Sequence, residues 1–100
     1  MYLYNVTVNV EKEMEDEWLD WMKAVHIPDV LATGMFVENK LFKIMHDSED
    51  GSLNYSVQYF AESMDHIMNY QQNFAPKLQA ETQKKYGDRL VIFRTLLKLV

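Results

Sequence analysis

The chain has 100 residues, of which 48% are hydrophobic and 25% are charged, and its formal net charge is −5. This composition is typical of a globular protein with its own core, so we expect one domain over residues 1–100. The acidic balance disfavours nucleic acid or an anionic membrane surface as the main partner, because phosphate binding needs clustered Lys and Arg. The absence of cysteine excludes disulfides and thiolate metal sites.

The first third of the chain predicts a strand followed by a helix. Residues 2–10 alternate between apolar and polar side chains with a period of two, as a half-buried strand does. The apolar period then becomes helical, and the predicted stripe consists of Met14, Trp18, Trp21, Met22 and Val25. Pro28 predicts the end of this helix, because proline cannot continue an α-helix and displaces Ile27 from helical geometry. After the proline, residues 29–32 are compatible with one more short turn, for which Gly34 predicts a left-handed stop.

The rest of the chain predicts two strands, a second helix and a last strand. Residues 35–46 and 53–60 read as strands joined by a turn at Asp50-Gly51. Ser63 is the expected N-cap of the second helix, and Pro76 predicts a break near residues 73–75. A last strand follows Gly87. The order β-α-β-β-α-β predicts an α+β, ferredoxin-like fold, with a four-stranded antiparallel sheet and two helices on one face.

One face of that sheet would lack a helical cover, although its outer strands are apolar on both sides. The last strand carries Val91, Phe93, Leu97 and Leu99 on one side, and Leu90, Ile92 and Leu96 with Arg94 on the other. The second strand carries Met35, Val37 and Leu41 on one side, and Phe36, Phe42 and Ile44 on the other. A second copy of the chain is the simplest cover, which predicts a homodimer that associates through its sheet faces. A monomer with a partly apolar sheet is the alternative.

The stretches YNVTVNV, HIPDVLATG, YSVQY and APKLQAE resemble the dimeric α/β-barrel superfamily. Within it the chain is similar, over nearly its whole length, to a family of small uncharacterised bacterial proteins, domains of unknown function. The superfamily includes cofactor-free monooxygenases, haem-degrading enzymes and muconolactone-isomerase-like proteins, so the resemblance implies a fold and leaves the chemistry open. Haem-degrading members use an asparagine on the first strand, for which Asn5 or Asn9 is the counterpart. Their helical histidine ligand has no match, since His66 lies too early, and no cofactor is expected.

His26 is the leading candidate for acid–base catalysis. It follows Met22 by four residues, so it borders the buried stripe, and it lies in the last turn of the predicted helix, where free carbonyls would raise its pKa. Asp29 could pair with it across the proline, and the pair could act as a general base or acid on a small enolisable or phenolic substrate. The alternative is a histidine that only caps the helix.

A polar set on the strands is the candidate ligand-binding group: Asn5, Thr7, Asn54, Ser56, Gln58 and Arg94. Arg94 is its only cation and could anchor a ligand carboxylate. The alternative is a hydrogen-bond network between subunits that fixes the register of a dimer.

Metal and RNA sites are not expected. His26, His46 and His66 lack the spacing of metal-binding motifs. RNA-recognition domains share the topology and place aromatic residues on the first and third strands, as Tyr4, Tyr55 and Tyr59 would be. The basic residue and the glycines of that signature are missing, however.

The expected function is therefore a cytoplasmic homodimer that binds a small organic ligand between sheet and helices. The expected location follows from the absence of a signal-like segment and of a long apolar run. The rival is a non-catalytic dimerising module. A cleft of at least about 300 Å³ lined by His26 or Arg94 would favour binding, and a filled interior would favour assembly.

Overall fold

The computed structural model describes residues 1–100, and its sheet has four strands. These are β1 (Tyr2–Val10), β2 (Glu38–Lys43), β3 (Leu53–Ala61) and β4 (Leu90–Lys98). They lie in the order β2-β3-β1-β4, and every neighbouring pair is antiparallel. With the helices on one face, this is the ferredoxin-like α+β fold that the sequence predicts.

The first crossover is one continuous helical segment with an unusual middle. Its parts are α1 (Glu15–Trp21), a π-helical turn (Met22–His26) and α2 (Ile27–Ala32). The prediction that the helix ends before Pro28 is wrong, because Ile27 keeps helical angles (φ −60°, ψ −47°). Proline lacks the N–H for the usual i→i−4 bond, and the wider turn before it accommodates the ring. Pro28 itself lies in the first turn of α2, where its missing N–H costs little.

The π turn also changes which side chains are buried. Trp18 and Met22 are buried as predicted, but Val25 is exposed. Ile27 and Val30 take its place against the sheet. The extra residue in the turn rotates the apolar stripe, so a regular period of 3.6 cannot be extended through it.

The second crossover is broken where Pro76 predicts. It consists of α3 (Met64–Asn73) and α4 (Ala75–Tyr86), which meet at Phe74, whose φ of −123° is not helical. The Ser63 hydroxyl caps α3 by accepting a hydrogen bond from the backbone N–H of His66. None of the helices has the length and apolarity that crossing a bilayer requires.

The core lies between the helices and one face of the sheet. Its strand residues are Tyr4, Val8, Val10, Leu53, Tyr55, Val57, Tyr59, Ala61 and Leu90. Tyr4, Tyr59, Tyr70 and Phe36 form an aromatic cluster with ring centroids 5.0 to 6.3 Å apart. The prediction that Phe36 and Phe42 lie on the same side of one strand is wrong. Because β2 begins only at Glu38, Phe36 is buried under the helices, whereas Phe42 is exposed on the opposite face.

The opposite face, which we call the open face, carries no helix. Along β1 and β3 its centre is polar and half-buried, and Leu3 and Phe60 lie at one end of it. Along β4 it is apolar, since Val91, Phe93 and Leu97 are exposed. Strand β4 is therefore apolar on both faces, as the sequence indicates. The same prediction for the second strand is wrong, because β2 begins only at Glu38 and presents the charged Glu38 and Lys40 beside the exposed Phe42 on this face.

Candidate functional site

A cleft of about 520 Å³ lies between the sheet and the helices. Its floor comes from β1 and β4, where Val6 pairs with Arg94 and Val8 with Ile92. Trp18, Met22 and His26 line it from the first crossover, and Gln79, Ala80 and Gln83 line it from α4. The cleft exists because α4 does not cover β4: Gln79, Ala80 and Gln83 are exposed, and so is Arg94.

Arg94 lies in this cleft and not with the other members of the predicted polar set. Strand β4 pairs with β1 so that Arg94 is opposite Val6, and both side chains point toward the helices. Asn5, Thr7, Asn54, Ser56 and Gln58 occupy the alternate positions and point to the open face. The grouping of Arg94 with these residues is therefore wrong, because alternation separates them.

The five polar residues on the open face bond mainly to each other and to a neighbouring loop. Ser56 donates to the Asn5 side-chain oxygen at 2.6 Å, and Asn5 donates to Thr7 at 3.1 Å. Gln58 donates to Ser56 at 3.2 Å. At the other end, Asn9 donates to Asn54 at 2.9 Å and to Ser52 at 2.8 Å. The network holds the centre of the open face in one arrangement and supplies no group to the cleft.

Three tyrosines line the cleft, and the charge of Arg94 acts on two of them, Tyr4 and Tyr70. Burial raises the pKa of Tyr4, while Arg94 and Gln79 beside its hydroxyl act in the opposite direction. Burial likewise raises the pKa of Tyr59 and Tyr70, so all three stay protonated near neutral pH. The Tyr59 hydroxyl is buried and has no hydrogen-bond partner.

The sequence does not distinguish these tyrosines as site residues. Tyr4 and Tyr59 occupy alternate positions on apolar strands, and aromatic residues in that pattern indicate a core. The feature of the sequence that could have pointed to them is their hydroxyl groups, because a buried tyrosine oxygen needs a hydrogen-bond partner. Only the fold shows that Arg94 lies beside them.

His26 lines the cleft, but Asp29 does not. The imidazole stacks on Trp21 with ring centroids 4.9 Å apart and an angle of 25° between the planes. Asp29 is exposed and lines a separate groove of about 290 Å³ with Thr33 and Lys77. No hydrogen bond or ion pair joins it to His26. Asp29 is thus close enough to act electrostatically, but it does not form a catalytic pair within the cleft.

The pKa of His26 is lowered, contrary to the sequence-based expectation. Burial lowers it, Asp29 opposes that change, and the charge of Arg94 lowers it further. The expectation rested on a helix that ends at His26. Because the helical segment continues to Ala32, His26 does not lie at a helix C-terminus, and desolvation dominates.

A family model described as a domain of unknown function, DUF4286, matches residues 1–100. The chain belongs to the DUF4286 family. This confirms the resemblance to a domain of unknown function with a ferredoxin-like fold. No curated protein matches the DUF4286 chain in sequence.

Two solved structures share the fold of the DUF4286 chain. One is a dimeric ferredoxin-like protein from an uncultured marine organism, with 13% identity, a TM-score of 0.73, and coverage of 100% of this chain and 95% of that one. The other is an ethyl tert-butyl ether d (EthD) family protein from Bacillus halodurans, with 12% identity, a TM-score of 0.66 and full coverage of both chains. At these identities the likeness shows the fold alone.

The lowered pKa of His26 makes the stability of the DUF4286 chain depend on pH. The folded state binds fewer protons at His26 than the unfolded chain, whose histidine titrates near 6.5. The His26 contribution is therefore complete above that value, and it is lost as the pH falls through 6.5 toward the folded pKa. We expect the free energy of unfolding, measured by urea denaturation, to decline between about pH 7.5 and pH 5.5.

The His26→Gln variant should lose that part of the decline, whereas His46→Gln, at an exposed position, should keep it. An unchanged pH dependence in His26→Gln would contradict the assignment. Glu15 and Asp50 do not interfere, because their pKa values are lowered from values already below this range.

Proposed function

We propose that the DUF4286 chain binds a small organic molecule in the cleft between sheet and helices. The observation that carries the proposal is the cleft itself: about 520 Å³ of space, apolar and aromatic walls, and a few polar groups gathered near Arg94. Small-molecule sites in proteins typically measure about 300–1,000 Å³ and have this composition. A module built only for assembly needs no such space in its interior.

His26 is the group that would exchange a proton with a bound molecule. Its imidazole borders the cleft, and its lowered pKa leaves it neutral near pH 7, which is the form that accepts a proton. Asp29 lies outside the cleft, so its role is limited to its charge. We infer that any acid–base chemistry here would depend on His26 without a hydrogen-bonded carboxylate to orient it.

A variant that fills the cleft tests the binding proposal. Ala80 lines the cleft from the exposed side of α4, so Ala80→Trp would occupy the space without disturbing the core. We expect the neutral fluorescent reporter 1-aminoanthracene to bind the natural chain, and to bind Ala80→Trp at least about tenfold more weakly, a difference of about 1.4 kcal/mol. Fluorescence titration measures both affinities.

Ala32→Trp is the matched control, because Ala32 is exposed at the end of α2 and does not line the cleft. It should bind the reporter like the natural chain. Failure of the natural chain to bind the reporter, or equal binding by Ala80→Trp, would contradict the proposal.

We also propose that the chain forms a homodimer through its open face. The exposed Phe42, Val91, Phe93 and Leu97 flank a polar centre whose hydrogen bonds are already made within the chain. A two-fold axis through this face would bring the apolar side chains of β4 and Phe42 against the other copy. The ferredoxin-like neighbour from the marine organism is described as dimeric, which supports a dimer here. Sedimentation should then give about twice 11.9 kDa.

A further inference from the structure

The charge in the cleft is unlike the charge of the rest of the chain. The protein has 15 Asp and Glu residues, yet none of them lines the cleft, where Arg94 is the only Lys or Arg. The four ion pairs of the structure lie elsewhere and use Lys40, Lys43, Lys85 and Arg89. Arg94 is therefore an unpaired guanidinium at the rim of a largely apolar space. A planar carboxylate is the partner that its fork of donors fits.

Neutral hydrogen-bonding groups surround the same end of the cleft. The Tyr4 hydroxyl lies beside Arg94 and Gln79, and the charge of Arg94 also reaches Tyr70. Tyr59 is only 2% exposed, lines the cleft, and has a hydroxyl without any partner. The Tyr86 hydroxyl, which does not line the cleft, is likewise buried without a partner, and neither oxygen is open to the cleft. The polar groups at this end of the cleft are therefore Arg94 and its neighbours Tyr4 and Gln79.

Beyond the groups near Arg94, most side chains that line the rest of the cleft are apolar. Trp18, Met22 and Leu90 line it, and the pairing of β4 with β1 places Leu90 opposite Val10 and Arg94 opposite Val6. Four residues of strand separate Leu90 from Arg94, which corresponds to about 13 Å. This length accommodates an aromatic ring and a short chain between the two ends.

We infer that the ligand is an amphipathic carboxylate, whose anionic end pairs with Arg94 and whose apolar body lies against Trp18 and Met22. The inference rests on the proposed function, since it names the chemical class that the cleft accepts. Arg94 supplies the charge, the tyrosine and glutamine groups supply neutral hydrogen bonds, and the absence of lining carboxylates removes repulsion.

The test compares an acid with its neutral amide. We expect 4-phenylbutyrate to bind at least about tenfold more tightly than 4-phenylbutyramide, as measured by isothermal titration calorimetry, because only the acid pairs with the guanidinium. Arg94→Met keeps the length of the side chain and removes its charge, so the ratio of the two affinities should fall to about one. Arg89→Met is the control, because Arg89 pairs with Glu11 outside the cleft, and it should keep the ratio.

Equal affinities of the acid and the amide for the natural chain would overturn the inference, and this comparison needs no variant. An unchanged ratio in Arg94→Met would overturn it too, because the selectivity would then come from another group. In either case binding of neutral 1-aminoanthracene would leave the proposed function intact. Loss of reporter binding would instead contradict the proposed function.

Discussion

Replacement of Trp18 by alanine is expected to lower the free energy of unfolding by about 3–5 kcal/mol. Trp18 is 1% exposed and packs against Tyr55, with ring centroids 5.1 Å apart. The substitution removes the largest side chain of the core and leaves a cavity that the rigid sheet cannot close. A domain has about 5–15 kcal/mol of stability in total, so this variant would be close to unfolding.

Urea denaturation followed by far-UV circular dichroism measures the loss. Trp21→Ala is the matched control, because it removes the same ring from a half-buried position where the indole contacts His26 and Tyr86. Its cost should be clearly smaller. Equal costs for the two variants would mean that Trp18 does not occupy the centre of the core.

Replacement of Phe93 by glutamate is expected to convert the dimer into a monomer. Phe93 is 64% exposed on the open face, beside Thr7 of β1, and the proposed dimer would bury it against the other copy. Each copy would contribute one carboxylate buried without a partner, and the two together should cost at least about 4 kcal/mol of association energy, which is roughly a 1,000-fold rise in Kd. The substitution leaves the core untouched, so the monomer should stay folded.

Sedimentation velocity at low micromolar concentration distinguishes the two states: about twice 11.9 kDa for the natural chain and 11.9 kDa for Phe93→Glu. Met45→Glu is the control, since Met45 is 92% exposed in the loop after β2, and it should remain dimeric. A monomeric natural chain, or a dimeric Phe93→Glu, would contradict association through the open face.

The strands could be predicted because residues in β1 and β3 alternate clearly, and the order of the elements predicted the order of the sheet. Alternation separates Tyr4 and Val8 from Asn5 and Thr7, but it leaves open which set faces the helices. The structure places Tyr4 and Val8 toward the helices. Strand β4 has apolar residues on both faces, so its sequence contains no alternation to show where Arg94 points. Its register with β1 decides that, and register is a property of the folded sheet.

The candidate site was predictable only in part for a similar reason. His26 is conspicuous beside a buried stripe, and the structure places it in the cleft. Its environment was not predictable, because Pro28 normally ends a helix, whereas here a π turn carries the chain past it. Sequence rules for proline describe an isolated, ideal helix. They do not include tertiary packing, and here the burial of Ile27 and Val30 in the core keeps the segment helical.

The π-helical turn at Met22–His26 is equivalent to an α-helix that contains one additional residue. Removal of a single codon in the exposed stretch Lys23–Ala24 would return the segment to α-helical pitch. His26 and the residues after it would stay on nearly the same side of the helix, because the wide turn is what absorbs the additional residue. Trp18, one turn earlier, and the sheet beneath it would also keep their places. A one-residue deletion at this point is therefore expected to leave both the cleft and the core intact, so the length of this segment can vary without a change of fold.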